Sequence, residues 1–267
     1  MFNVSWQTIK EKKWTILIYS LAVILFLWMY IALYPSFSKS IGSMTDYLKS
    51  FPKSFMEAFG FEIESMSTFE GYLGSEQFTF IWPIMLIALM VSCGSAFLAG
   101  EIEKGTIGIL LSQPVSRTKI FLGKFLTGLT LLIVFLVISF LGIFPLANAY
   151  NISYNSDRFF KLGLLGLTFG LAIFGLSMFF SAVFSEKNKA TFTVVGILIL
   201  MYVLNIISGL KDNLKNLKYA SFFYYYKPSG VLIHNTIDKW AWWVFLGTFV
   251  ISSVLALIWF SKRDIAI

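Results

Sequence analysis

Apolar residues in this chain gather into long, nearly uninterrupted runs separated by short polar stretches, rather than forming a one-sided stripe. A helix of about 20 apolar residues crosses a hydrocarbon core roughly 30 Å thick. Such runs lie near residues 14–34, 79–99, 121–146, 162–184, 190–210 and 240–260. A backbone in lipid must satisfy its own polar groups, so each run is read as a helix. The pattern predicts an all-α polytopic membrane protein with six transmembrane helices, a single transmembrane domain over residues 1–267.

The flanks refine this picture. Phe2, Trp6 and Ile9 recur at helical spacing, with Asn3, Gln7, Lys10 and Lys13 offset from them. That predicts an interfacial helix over residues 1–13 leading into the first span. The first run is too long for a signal-peptide core and lacks a small-residue cleavage site before Pro35, so it reads as a retained anchor. The longest polar stretch, from Pro35 to Gln77, carries Phe51, Phe55, Met56, Phe59, Phe61 and Ile63. It predicts short helices on the outer face.

Composition agrees: 57% of residues are apolar and 13% charged, with a mean hydropathy of +0.77, against roughly 25% charged in a soluble domain. Lys10, Lys12, Lys13, Lys104, Arg117, Lys119, Lys124, Lys187, Lys189, Lys262 and Arg263 make up just over half of the 21 basic residues. They cluster at both termini and in the second and fourth connections, which predicts cytoplasmic termini in a cell-membrane protein. Lys211, Lys215, Lys218, Lys227 and Lys239 crowd a loop on the other side and weaken that signal. The net charge of +7 forms no basic stripe on a soluble domain, so nucleic acid is not an expected partner, whereas anionic lipid headgroups are.

Catalytic readings find little support. The single histidine, His234, and single cysteine, Cys93, supply neither a metal-ligand pattern nor a disulfide. No GxxxxGK[ST] loop occurs, so the chain lacks a P-loop ATP site of its own. The centres of the runs hold no Asp, Glu, Lys, Arg or His, which weakens a gradient-driven carrier without removing it. Ser139, Ser177 and Ser181 lack a basic partner at depth and read as packing residues. The expectation is a non-enzyme with no catalytic, cofactor-binding or metal residues.

One polar segment, residues 100–118, is bracketed closely by apolar runs. Glu101, Glu103 and Lys104 leave the second span, Ile107, Leu110 and Leu111 form an apolar stripe, Pro114 stops the segment, and Ser116 is placed to cap the third span. A helix of this kind suits either a groove on a soluble partner or a resting place on lipid.

The segment EIEKGT…LLSQPVSRTKI…GK resembles the signature of the six-span permease subunits of ABC-2-type transporters. FPKSFMEAFGF and STFEGYLGSEQF resemble their first outer region, SFFYYYKPSGVLIHNTID the segment before their last span, and FSKRDI their ending. The resemblance implies that residues 100–118 are a coupling helix contacting a separate ATP-binding subunit, which would hold the ATP and Mg. Glu101, Glu103, Lys104, Gly105 and Thr106 would form its docking end, with Ile107, Leu110 and Leu111 adhering and Pro114, Ser116 and Arg117 shaping its return. It further implies a second permease subunit, the same or homologous, and transport that is most often export.

Alternatives outside that resemblance are a secondary transporter or channel, and a non-transporting scaffold or sensor driven by an ATPase. In the fourth run, Gly166 and Gly170 form a GxxxG pair suited to helix packing. Trp28, Tyr30, Tyr34, Trp82, Tyr224, Tyr225, Tyr226, Trp240, Trp242 and Trp243 are expected in an interfacial aromatic belt.

Overall fold

The computed structural model describes residues 2–48, 68–112, 115–210 and 212–264. Met56, Phe59 and Ile63, with the outer helices expected around them, lie outside the described residues. Helix α1 (Phe2–Glu11) leads into α2 (Lys13–Leu48), and α3 (Phe69–Leu73) runs through a π-helical segment (Gly74–Ile81) into α4 (Trp82–Phe97). Two short helices, α5 (Ala99–Glu103) and α6 (Thr106–Leu111), precede α7 (Arg117–Leu141) and α8 (Ile143–Ala149). Then come α9 (Ser156–Val183) and α10 (Lys187–Leu210), a 3-10 segment (Asp212–Ala220), α11 (Phe222–Tyr225), α12 (Pro228–Leu232) and α13 (Lys239–Lys262). No strand occurs among the described residues.

Among the described residues, six helices are long and apolar enough to span a membrane: Lys13–Ser40, Phe69–Phe97, Arg117–Ala149, Ser156–Val183, Lys187–Leu210 and Lys239–Lys262. The protein is a multi-pass α-helical membrane protein, and these are spans 1 to 6. Several bounds differ from the expectation, among them the end of span 1 and the start of span 2. Span 1 does not stop at residue 34: α2 continues through Pro35 for 36 residues, about 54 Å of helix. Proline removes one backbone donor and crowds the preceding turn, a disruption that a helix this long tolerates at a single point.

Span 2 begins at Phe69 rather than near 79, with Thr68 as its N-cap accepting from the Gly71 amide at 3.1 Å. Glu70, Glu76 and Gln77 therefore belong to the helix instead of a loop. The π-helical winding ends with the Trp82 amide reaching back five residues to the Gln77 carbonyl. Pro83 follows at once, and wider winding accommodates a residue with no amide proton.

Span 4 is the central post. About two thirds (67%) of its most apolar stretch is buried, against 17% for spans 1 and 5. Its small residues let neighbours close in. A Cβ on Gly166 would stand 2.6 Å from the Trp82 ring, one on Gly170 2.5 Å from a Leu132 methyl, and one on Gly175 3.1 Å from the Phe249 backbone. The GxxxG pair thus faces spans 2 and 3 of the same chain. Trp82, Tyr225 and Tyr226, expected in the belt, are core residues: Trp82 and Tyr226 stack at 6.1 Å, and Tyr226 stacks on Phe169 at 4.5 Å. Trp28, Trp240 and Trp243 are exposed, which leaves their rings to lipid.

Candidate functional site: the elbow between spans 2 and 3

One end of the bundle gathers α1, the α5–α6 elbow, the turn between spans 4 and 5, and Arg263 just after span 6. Helix α1 lies against span 3 through Ser5 and Thr127, whose hydroxyls are 3.2 Å apart and buried. Trp6 points away, 62% exposed, with the Lys10 ammonium 5.4 Å from its ring centre. The face that packs on protein is therefore the small polar one.

The elbow starts where α4 breaks at Leu98, whose φ of −118° departs from helix. A new helix begins with unpaired amides, and here a residue 82 positions away supplies the acceptor. The Ser181 hydroxyl of span 4 accepts from the amides of Leu98 (3.2 Å) and Ala99 (3.0 Å) and lies 3.0 Å from the Ser95 carbonyl. The sequence reading assigned Ser181 to packing; its role as a cap in trans has no local signature.

Glu101 points inward. Its carboxylate meets the Lys124 ammonium of span 3 at 2.7 Å, with side-chain exposures of 19% and 5%, and also accepts from the Thr106 hydroxyl. Burial pushes the carboxyl up. The hydrogen bonds from Lys124 and Thr106, together with the charges of Lys124 and Lys104, outweigh that and hold it below the ordinary carboxylate range. Glu103 accepts at 2.8 Å from the amide of Lys187, the first residue of span 5, where a helix start favours negative charge.

Between the two short helices, Gly105 sits at φ 73° with open space around it. A left-handed conformation suits glycine, so the single helix expected here is instead a bent pair. In α6, Ile107 is buried and Leu110 packs against the core, while Ile109 is 66% exposed. Ile107 and Leu110 of the apolar stripe thus face the bundle, and the exposed positions are Glu103, Lys104, Gly105, Ile109 and Ser112. Pro114 and the Leu111 side chain lie outside the described residues. Ser116 caps α7, accepting from the Lys119 amide at 3.4 Å.

Arg117 donates to the Arg263 carbonyl, and the Arg263 guanidinium in turn donates to the carbonyls of Ala182 (2.9 Å) and Phe184 (3.1 Å) and to the Ser185 hydroxyl. The far end of span 4 is thereby closed by a cation, as its dipole favours. The elbow is consequently fastened to span 3 by Glu101, span 4 by Ser181 and span 5 by Glu103, while the return into span 3 is fastened to spans 4 and 6 by Arg263.

Among the described residues, no group of three or more His, Cys, Asp or Glu side chains is placed to hold a metal, and Cys93 is buried and unpaired. No curated protein matches the chain. The family model described as ABC-2 family transporter protein matches residues 5–265, nearly the full length. With that match and six spanning helices among the described residues, the chain belongs to the ABC-2 transporter family and is a transporter's membrane subunit.

Proposed function

We propose that this protein is the permease of an ATP-driven exporter and that residues 100–118 receive force from a separate ATP-binding subunit, which holds the ATP and Mg. Family membership supports the partner. The single observation that carries the mechanism is that the elbow and its return are tied to the ends of spans 3, 4, 5 and 6 by four separate polar links, from Glu101, the Ala99 amide, Glu103 and Arg117.

In this reading the eight elbow residues near the bend divide their labour. Glu101, Glu103 and Thr106 lock the elbow to the bundle, Ile107 and Leu110 seat it, and Lys104, Gly105 and Ile109 meet the ATPase. Ser116 and Arg117 set the return into span 3. ATP-driven closure of two ATPase subunits moves two permease halves, each supplying one wall of the pathway. Both termini and the elbow face the cytoplasm of a cell membrane, with Lys10, Lys12 and Lys13 against anionic lipid.

The test is co-purification of the tagged chain in mild detergent, followed by cross-linking from a cysteine placed at Lys104. An ATP-hydrolysing partner joined at that position supports the proposal. Recovery of the chain alone, moving solute down its gradient after reconstitution, favours a carrier or channel instead.

A further inference from the structure

The end of the bundle opposite the elbow carries a group that the transport reading leaves unused. Span 2 starts at Phe69, so Glu76 lies in its helix, half-buried, with neither a hydrogen bond nor an ion pair to any described residue. Ionisable groups inside a span are costly and mark the paths of what crosses. Next to it, Gln77 is fully buried and both polar atoms of its amide lack a partner, as does the buried Ser75 hydroxyl. These three residues fall in the π-helical stretch, a winding often found at functional positions.

An aromatic wall stands beside this carboxylate. Tyr30, Tyr34 and Phe37 share one face of α2, and all three rings meet Tyr72, at 6.2, 5.4 and 4.6 Å between centroids. Tyr72 is 4% exposed and forms the floor, while the three α2 rings are partly open. Tyr72 and Glu76 are four residues apart, neighbours on a helix face.

The chemistry selects among ligands. An anion is repelled by Glu76. A metal ion needs several oxygen, nitrogen or sulfur donors, and no such group occurs among the described residues. A cation spread over an organic head is attracted by a carboxylate and by ring faces alike, and an apolar body attached to it remains in lipid beside spans 1 and 2.

From this arrangement we infer that Glu76, Tyr72, Tyr30, Tyr34 and Phe37 form a binding site for the cationic head of an amphiphile, at the end of the bundle away from the elbow. That this amphiphile is the transported cargo rests on the exporter reading. The binding itself does not.

The test uses the purified full chain in maltoside micelles and equilibrium dialysis with radiolabelled tetraphenylphosphonium, against tetraphenylborate as an anion of matched size. The expected result is saturable retention of the phosphonium alone, displaced by dodecyltrimethylammonium. Glu76→Gln weakens retention about tenfold or more. Tyr72→Phe keeps the ring and stays within about twofold of the parent. Tyr34→Leu, on the half-open wall where folding is least at risk, weakens binding as well. Equal retention of both ions, or full phosphonium binding by Glu76→Gln, overturns the site. No nucleotide or ATPase enters the assay, so its failure leaves the exporter reading intact. Binding without any co-purifying ATPase retains the site and removes only its assignment to cargo.

Discussion

Glu101 and Lys124 allow the locking of the elbow to be measured. Their charged atoms are 2.7 Å apart, with 19% and 5% of the side chains exposed. At an effective dielectric of about 20, two unit charges at that separation attract by about 6 kcal/mol. Removing each ion from water costs several kcal/mol, so the pair as a whole adds little net stability. Breaking it is a different matter, because one ion is then stranded. Lys124→Met and Glu101→Leu should each cost about 3–5 kcal/mol, with Glu101→Leu the worse because it strands the better-buried ion. The double variant should cost no more than the worse single, a coupling of about 3 kcal/mol.

Equilibrium unfolding in mixed detergent micelles, read by tryptophan fluorescence, measures all four proteins. Two single losses that add to within about 0.5 kcal/mol would refute the claim that these side chains lock the elbow to span 3.

Four further outcomes follow from the same geometry. Glu101 titrates below the ordinary carboxylate value of about 4.3, so its contribution is present above that value and lost as pH falls through the lower folded value. The stability gap between the parent and Glu101→Gln should be full at neutral pH and close below about pH 4, as thermal unfolding across pH will show. Ser181→Ala strands the Leu98 and Ala99 amides and should cost about 1–3 kcal/mol, with faster hydrogen exchange at those amides. Gly175→Ala meets backbone at 3.1 Å and should cost about 1–3 kcal/mol, while Gly247→Ala, with open space around it, should be neutral or slightly stabilising in the same unfolding assay. Arg263→Ala should leave ATPase docking unchanged yet lower the transport obtained per ATP hydrolysed, measured in proteoliposomes.

The six spans were legible because membrane hydropathy is local: a run of apolar residues reports its solvent without reference to the rest of the fold. Span 2 was read late at its start because Gly71, Gly74, Ser75, Glu76 and Gln77 are polar or small. They are helical because they pack against the outer connection and neighbouring spans, as Gly74 does against Ser229 and Leu232. Trp82 and Tyr226 looked like belt residues for the converse reason: an aromatic at a span end has the same pattern whether lipid or Phe169 lies beside it. At the elbow, position and the Ser116 cap were visible in sequence, whereas the bend at Gly105 was not. The inward turn of Glu101 was not, since its partner Lys124 lies a full helix start away. Ties from Glu103 to Lys187 and from Arg263 to Ala182 join residues about 80 positions apart; only the assembled bundle reveals them.

The central claim is that the exposed bend of the elbow is where an ATP-binding subunit takes hold. A photo-reactive or disulfide cross-link from a cysteine at Lys104, made in native membranes, tests it most directly. The account predicts a product containing a nucleotide-binding subunit, reduced when Ile109 is replaced by Asp and retained when the opposite end of the bundle is altered at Glu76. A bend that is labelled from outside intact cells, or that never joins such a subunit while the chain is folded and active, would contradict it.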